Sequence, residues 1–238
     1  MYDYYFLLEF IVNTIAIGIF FYVGIRIALR YREFKRREFI FVGIAVIMMS
    51  ELFWIFPINS FLVFISDSVL PYVIQAFITN IGLPIGIFFW LWAITDLMYK
   101  EKQKIILIIS GVYFLSYEVL LILSLILVHI DGQLNPLLYA ILIIFVLSFL
   151  LIVVITGIRF GYENVIAESP INRLQGKLMI IAFILFSIGC ILVLMVHHFL
   201  IYTLILTPCF ILFYFSFVLP KRIKMRLLRR EDKEVYID

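Results

Sequence analysis

Lysine and arginine are missing from four long stretches of this sequence: residues 1–25, 38–99, 105–158 and 178–220. Charge is scarce overall, at 15% against about 25% in typical soluble domains, while hydrophobic residues reach 65% against about 45–50%. A 238-residue soluble domain has no interior large enough to hide that much apolar surface, so a water-soluble globular fold is excluded. A bilayer accepts it, because lipid takes the place of the missing interior. Cysteine is scarce too. Cys190 and Cys209 both lie inside apolar runs and form no C-x-x-C pair, which leaves no disulfide framework and no cysteine zinc site. They read as small buried apolar side chains. The start of the chain lacks the basic segment of a cleavable signal; it carries Asp3 and Glu9 and stays apolar to Ile25. That pattern predicts a first span inserted with its N-terminus outward.

Catalytic signatures are absent as well. No G-x-x-x-x-G-K-[ST], H-E-x-x-H or G-x-S-x-G occurs, so phosphate-loop, zincin and hydrolase-elbow chemistries have no support. No predicted span contains a lysine, which excludes a retinal Schiff base. Neither an enzyme, a cofactor, a metal site nor a nucleic-acid partner is expected.

What is present is a series of apolar runs of about 20 residues, the length a helical span needs. They fall near 4–26, 39–57, 71–98, 105–128, 134–158, 178–197 and 199–219. Helices are required, because an isolated lipid-exposed strand would leave backbone groups unpaired. Basic residues accumulate on the cytoplasmic side. With these seven spans the cytoplasmic segments hold Arg26, Arg30, Arg32, Lys35, Arg36 and Arg37, then Lys100, Lys102 and Lys104, then Arg159, Arg173 and Lys177, then seven in the tail; together these are all 19 Lys and Arg. The expected architecture is an all-α, seven-helix membrane domain over 1–219 and a basic cytoplasmic tail over 220–238. The N-terminus is outside, the C-terminus is inside, and the location is the plasma membrane. Gly82, Pro84 and Gly86 in span three, and Pro208 in span seven, predict kinks. The apolar stretch from Phe61 to Ile65 is expected to lie in the interface within an outer loop.

Ionisable residues inside a span are expensive and usually functional. At about 1.5 Å per residue, Glu51 lies about 18 Å and Glu118 about 20 Å from the inner edge of their spans, in the outer half of the membrane. No intramembrane cation pairs them, so both are expected to be protonated or at a wet cavity near pH 7. Asn13, Gln75 and Asn80 fall at similar depth. The expectation is an outward-opening polar pocket lined by Glu51, Glu118, Asn13, Gln75 and Asn80 that receives a small ligand or a proton. The alternative is that these groups make interhelical hydrogen bonds that hold the bundle. Asp96, at the inner end of span three, is expected to pair with Lys100 at i,i+4. His129, His197 and His198 read as boundary residues at the outer face.

In the tail, Arg222, Lys224, Arg226, Arg229 and Arg230 interleave with Ile223, Met225, Leu227 and Leu228. Such a segment is suited to lie on anionic lipid, at about 1 kcal/mol per cation, or to meet a cytoplasmic partner. It is too short for an output domain, so a signal is expected to pass to a separate protein. From Leu147 to Gly189 a long apolar helix ends in Arg159. A polar loop with Ser169-Pro170-Ile171-Asn172-Arg173-Leu174-Gln175 follows, and a helix opens with Lys177-Leu178-Met179-Ile180-Ile181-Ala182. This region resembles the fifth-to-sixth span of the seven-helix N-terminal sensor modules of microbial histidine kinases. The resemblance implies a sensory role, without the kinase, and carries over no site residue. Three readings result: a receptor-like module binding a small or lipidic ligand from outside, a proton-coupled carrier using the intramembrane carboxylates, and a non-catalytic assembly subunit.

Overall fold

The computed structural model describes residues 2–131, 135–195, 199–220, 223 and 225. Every regular element among them is helical: α1 (Tyr2–Ala28), α2 (Tyr31–Phe34), α3 (Glu38–Met49), a 3-10 turn (Glu51–Phe53), α4 (Ile55–Ser66), α5 (Tyr72–Asn80), α6 (Gly82–Met98), a second 3-10 turn (Lys100–Lys102), α7 (Gln103–Asp131), α8 (Pro136–Val165), α9 (Pro170–Met195) and α10 (Phe199–Phe217). Five of the described helices are long and apolar enough to cross a membrane: Phe6–Phe34, Tyr72–Met98, Lys100–Ile130, Pro136–Val165 and Pro170–Leu192. A sixth arises if Glu38–Phe53 and Ile55–Ser66, bent by 41°, count as one span, and Leu204–Phe217 is a shorter apolar helix. Each of these segments overlaps one of the seven runs read from the sequence.

The surface explains why such helices need lipid. On α7, Ile105, Ile108, Ile109, Val112, Leu115, Val119 and Ile122 are exposed, while Phe114, Tyr117, Leu121 and Leu125 on the same helix are buried. A helix apolar all round belongs in a core or a membrane. Only 11% of the most apolar stretch of α8 is buried within the protein. This is the surface of a multi-pass membrane protein.

The chain divides into two compact units, Met1–Val153 and Val154–Asp238, with the division inside α8. In the first unit α1, α3 and α6 pack closely. A Cβ placed on Gly43 would lie 2.5 Å from the Gly24 carbonyl oxygen, so two backbones touch where neither residue has a side chain. Such small-residue contacts drive association where lipid cancels the hydrophobic force between helices. Rings of Phe41, Phe89 and Trp92 join α3 to α6, and Tyr113, Tyr117, Phe145 and Phe149 join α7 to the first part of α8. In the second unit α9 and α10 pair through Phe183 on Phe213, at 4.7 Å between ring centres. The Cys209 thiol donates to the Ala182 carbonyl at 3.1 Å. Both cysteines are unbridged.

Two helix interruptions position the candidate site, and both sit four residues before a proline. Pro57 has no N–H to give Phe53, where the 3-10 turn ends; Pro84 has none for Asn80, where α5 ends. Each proline is the third residue of the following helix, in the first turn where a missing N–H costs nothing. The interruption expected around Gly82 and Pro84 is present. The larger bend, at Trp54, was read from the sequence only as the end of span two. Ser50 fills that bend, donating to the Ile47 carbonyl at 2.6 Å and accepting from the Trp54 indole at 3.0 Å. α10 continues through Pro208.

Loops are shorter than expected. Phe61 to Ile65 belong to α4, which ends at Asp67 in a left-handed conformation (φ 48°) whose N–H reaches the Val63 carbonyl at 3.1 Å. α8 runs on to Val165 and α9 begins at Pro170, leaving four residues where a 159–177 loop was expected. Apolar runs mark where hydrocarbon ends, but a helix in water keeps its hydrogen bonds and goes on. Here Ser169 precedes Pro170 at a helix start, and Arg173 closes the turn on the Ala167 and Glu168 carbonyls.

Candidate functional site

Glu51 opens the 3-10 turn at the bend between α3 and α4. Its side chain is directed at the N-terminus of α6. The residue is 3% exposed. The backbone N–H groups of Gly82 and Leu83 donate to its carboxyl. These are orphan donors of a helix start, which need a partner from outside the helix. Glycine at position 82 makes the approach possible: a Cβ there would lie 2.6 Å from Glu51 Oε2 and 2.9 Å from its Cδ. Glu51 thus caps a helix that begins inside an apolar layer, a role normally taken by a residue just before the helix. Its Oε2 is nevertheless buried without a hydrogen-bond partner.

Glu118, on α7, is half-buried, and its Oε1 is the second buried carboxyl oxygen without a partner among the described residues. It is close enough to Glu51 for the two carboxyls to interact electrostatically. Tyr117, next to Glu118 on α7, is a fully buried side chain that feels both acids and donates its hydroxyl to Asn80 Oδ1 at 2.9 Å. Asn80 Nδ2 in turn donates to the Ala76 carbonyl at 2.8 Å and to Thr79 Oγ1 at 2.9 Å. The last turn of α5, the first turn of α6, the 3-10 turn and α7 therefore meet around two carboxyls.

Of the five residues read from the sequence as one pocket, Glu51, Glu118 and Asn80 come together here. Gln75 serves the loop before α5: it accepts from Asn59 at 3.1 Å and donates to the Leu70 carbonyl at 2.5 Å. Asn13 is buried on α1 and donates to the Glu9 carbonyl at 3.0 Å; the Ser60 hydroxyl bonds the Glu9 carboxyl. Glu51 itself is buried. A cavity of about 300 Å³ lies on the α1 side of the bend, lined by Thr14, Ile17, Phe21, Trp54, Pro57 and Ile58. Tyr117 was missed; its place beside Glu118 in an apolar run was the available signal. The capping role of Gly82 had none, since the 30 residues between it and Glu51 hide the contact.

At the other end of α6, Asp96 does not take Lys100 as its main partner. Arg37 grips it with two bonds, Nε to Oδ2 at 2.6 Å and Nη2 to Oδ1 at 2.9 Å. A guanidinium fork matches a carboxylate where a lysine offers one point of charge. That bond, and then the charge of Asp96, push the Arg37 guanidinium above its ordinary value. Asp96 is nearly buried while Arg37 remains half-exposed. His129 is exposed near the end of α7. His197, His198, Arg222, Lys224, Arg226, Arg229 and Arg230 lie outside the described residues.

No family model, no curated protein and no solved structure matches this chain.

Proposed function

We propose that this chain is a seven-span plasma-membrane protein, N-terminus outside and C-terminus in the cytoplasm. It works as a receptor-like module: occupancy of the Glu51–Glu118 site from the outer side alters contacts with a separate cytoplasmic protein. The observation that carries this reading is the Glu51 carboxyl, buried at two facing helix interruptions with one oxygen left unpaired. A buried unsatisfied group costs about 1–3 kcal/mol, so a structure that keeps one is biased to change when the group finds a partner. The site lies at the junction of α3, α4, α5 and α6, and interrupted helices turn at their breaks. The confinement of all 19 basic residues to alternate segments supports the orientation. The polar turn between α8 and α9 and the basic tail offer the inner contacts.

A photo-crosslinker at Glu168, which is exposed in that turn, tests the reading in native membranes. A partner adduct whose yield changes in Glu51→Gln and Glu118→Gln is the expected result. An adduct pattern indifferent to both substitutions contradicts it. The two interruptions also favour a second reading, a proton-coupled carrier, because transporters place such broken helices at their binding sites. Solute flux in proteoliposomes that is lost in Glu51→Gln would establish that reading over the first.

A further inference from the structure

The unengaged polar atoms described at the candidate site are acceptors. Its nearby donors are already engaged: Gly82 and Leu83 N–H on Glu51, the Tyr117 hydroxyl on Asn80, and Asn80 Nδ2 on Ala76 and Thr79. Among the described residues the two buried side-chain polar atoms without partners, Glu51 Oε2 and Glu118 Oε1, are both carboxyl oxygens. An exposed helix N-terminus ordinarily attracts an anion. Here the protein's own carboxyl covers it, and a second acid stands within electrostatic reach. An incoming anion would meet two acids and no free donor.

Among the described residues, α3 to α7 place no basic side chain beside the two carboxyls. Between residues 38 and 98 the ionisable side chains besides Glu51 are Glu38, Asp67, Tyr72 and Asp96; on α7 besides Glu118 they are Lys104, Tyr113, Tyr117, His129 and Asp131. Lys104 is in the first turn of α7, fourteen residues before Glu118, and His129 is eleven after it. At about 1.5 Å per residue each is about 16–21 Å away along the helix. From α1, Glu9 is engaged with Ser60. Two carboxyls in a low-dielectric setting without a cation do not both carry charge.

We infer that the Glu51–Glu118 pair is a binding site for a small monovalent cation, taken up in exchange for a proton. This rests on the receptor reading and names its ligand class. In the exchange a carboxylic acid O–H breaks, its proton leaves to water, and the resulting carboxylate receives the cation; net charge at the site is unchanged. Alkali metal ions and organic ammonium ions share the chemistry required, a single positive charge offered to two carboxyl oxygens.

The purified full-length protein, held in N-methylglucamine chloride at constant ionic strength, is titrated with sodium, potassium or methylammonium chloride. A pH indicator reads proton release between about pH 5 and pH 9. The expected result is saturable release of about one proton by at least one of the three, with apparent affinity improving about tenfold per pH unit while the site is protonated. Glu51→Gln and Glu118→Gln should each abolish the release. Which salt acts separates alkali ion from ammonium. Infrared difference spectra of the unaltered protein provide a readout that needs no variant: the protonated carboxyl band should fall as the cation binds. Absence of both release and band change, or release that survives in folded Gln variants, overturns the inference. A Glu51-dependent crosslink at Glu168 without any cation effect would overturn it while leaving the receptor reading with a proton as its signal.

Discussion

Replacing Gly82 by alanine is a small change with a specific consequence. The new methyl would stand 2.6 Å from Glu51 Oε2, well inside van der Waals contact, so the carboxyl must move away. The steric part is cheap, because a carboxyl at the end of a flexible side chain can rotate. What is lost are the Gly82 and Leu83 N–H bonds to it. Leaving such groups unsatisfied costs about 1–3 kcal/mol in soluble proteins, and interhelical bonds in membranes average about 0.6 kcal/mol. Alanine returns at most about 1 kcal/mol of helix propensity. A net loss of up to about 2 kcal/mol results. Unfolding of the purified protein in mixed micelles with rising SDS measures it. The cycle with Glu51→Ala isolates the cause: once the carboxyl is gone, Gly82→Ala should be neutral or stabilising, a coupling of about 1–2 kcal/mol. A Gly82→Ala variant as stable as the parent, with additive behaviour in the double variant, would refute the capping geometry.

Other expectations follow from the same contacts. Tyr117→Phe removes the hydroxyl that satisfies Asn80 and should cost about 1 kcal/mol in the same assay; no change would show Asn80 finding another donor. Gly43→Val places a branched side chain against the Gly24 backbone, and the expected loss of a few kcal/mol should appear as poor yield or early unfolding. Arg37→Lys keeps the charge but not the fork, so part of the stability lost in Arg37→Ala should stay lost in the same assay. Cys209, wholly buried, should resist maleimide in the folded protein and react once it is unfolded.

The helical character was legible because hydrocarbon thickness sets a minimum run of apolar residues, and five of the described helices, or six with the bent pair, are long and apolar enough to cross a membrane. Proline explains the interruption before Gly82, but Pro57 stands at the end of the second apolar run, and a one-dimensional pattern does not distinguish a bend from a boundary. Glu51, Glu118 and Asn80 announced themselves as polar groups in apolar runs. Their gathering around Tyr117 depends on how the 3-10 turn, α5, α6 and α7 pack, and so does the division of Gln75 and Asn13 into separate hydrogen-bond networks. Arg37 and Asp96 are 59 residues apart and looked like two boundary residues; only packing of the start of α3 against the end of α6 joins them.

The sidedness of the chain underlies every functional statement made for Glu51 and Glu118. With Cys190 and Cys209 replaced by serine, single cysteines at Ser68, Asn135, Glu101 and Glu168 are treated with a membrane-impermeant maleimide on intact cells. Labelling at 68 and 135, with 101 and 168 labelled only after permeabilisation, is the predicted outcome. Labelling of 101 or 168 on intact cells, or protection of 68, would contradict the orientation and place the two carboxyls in the opposite half of the membrane.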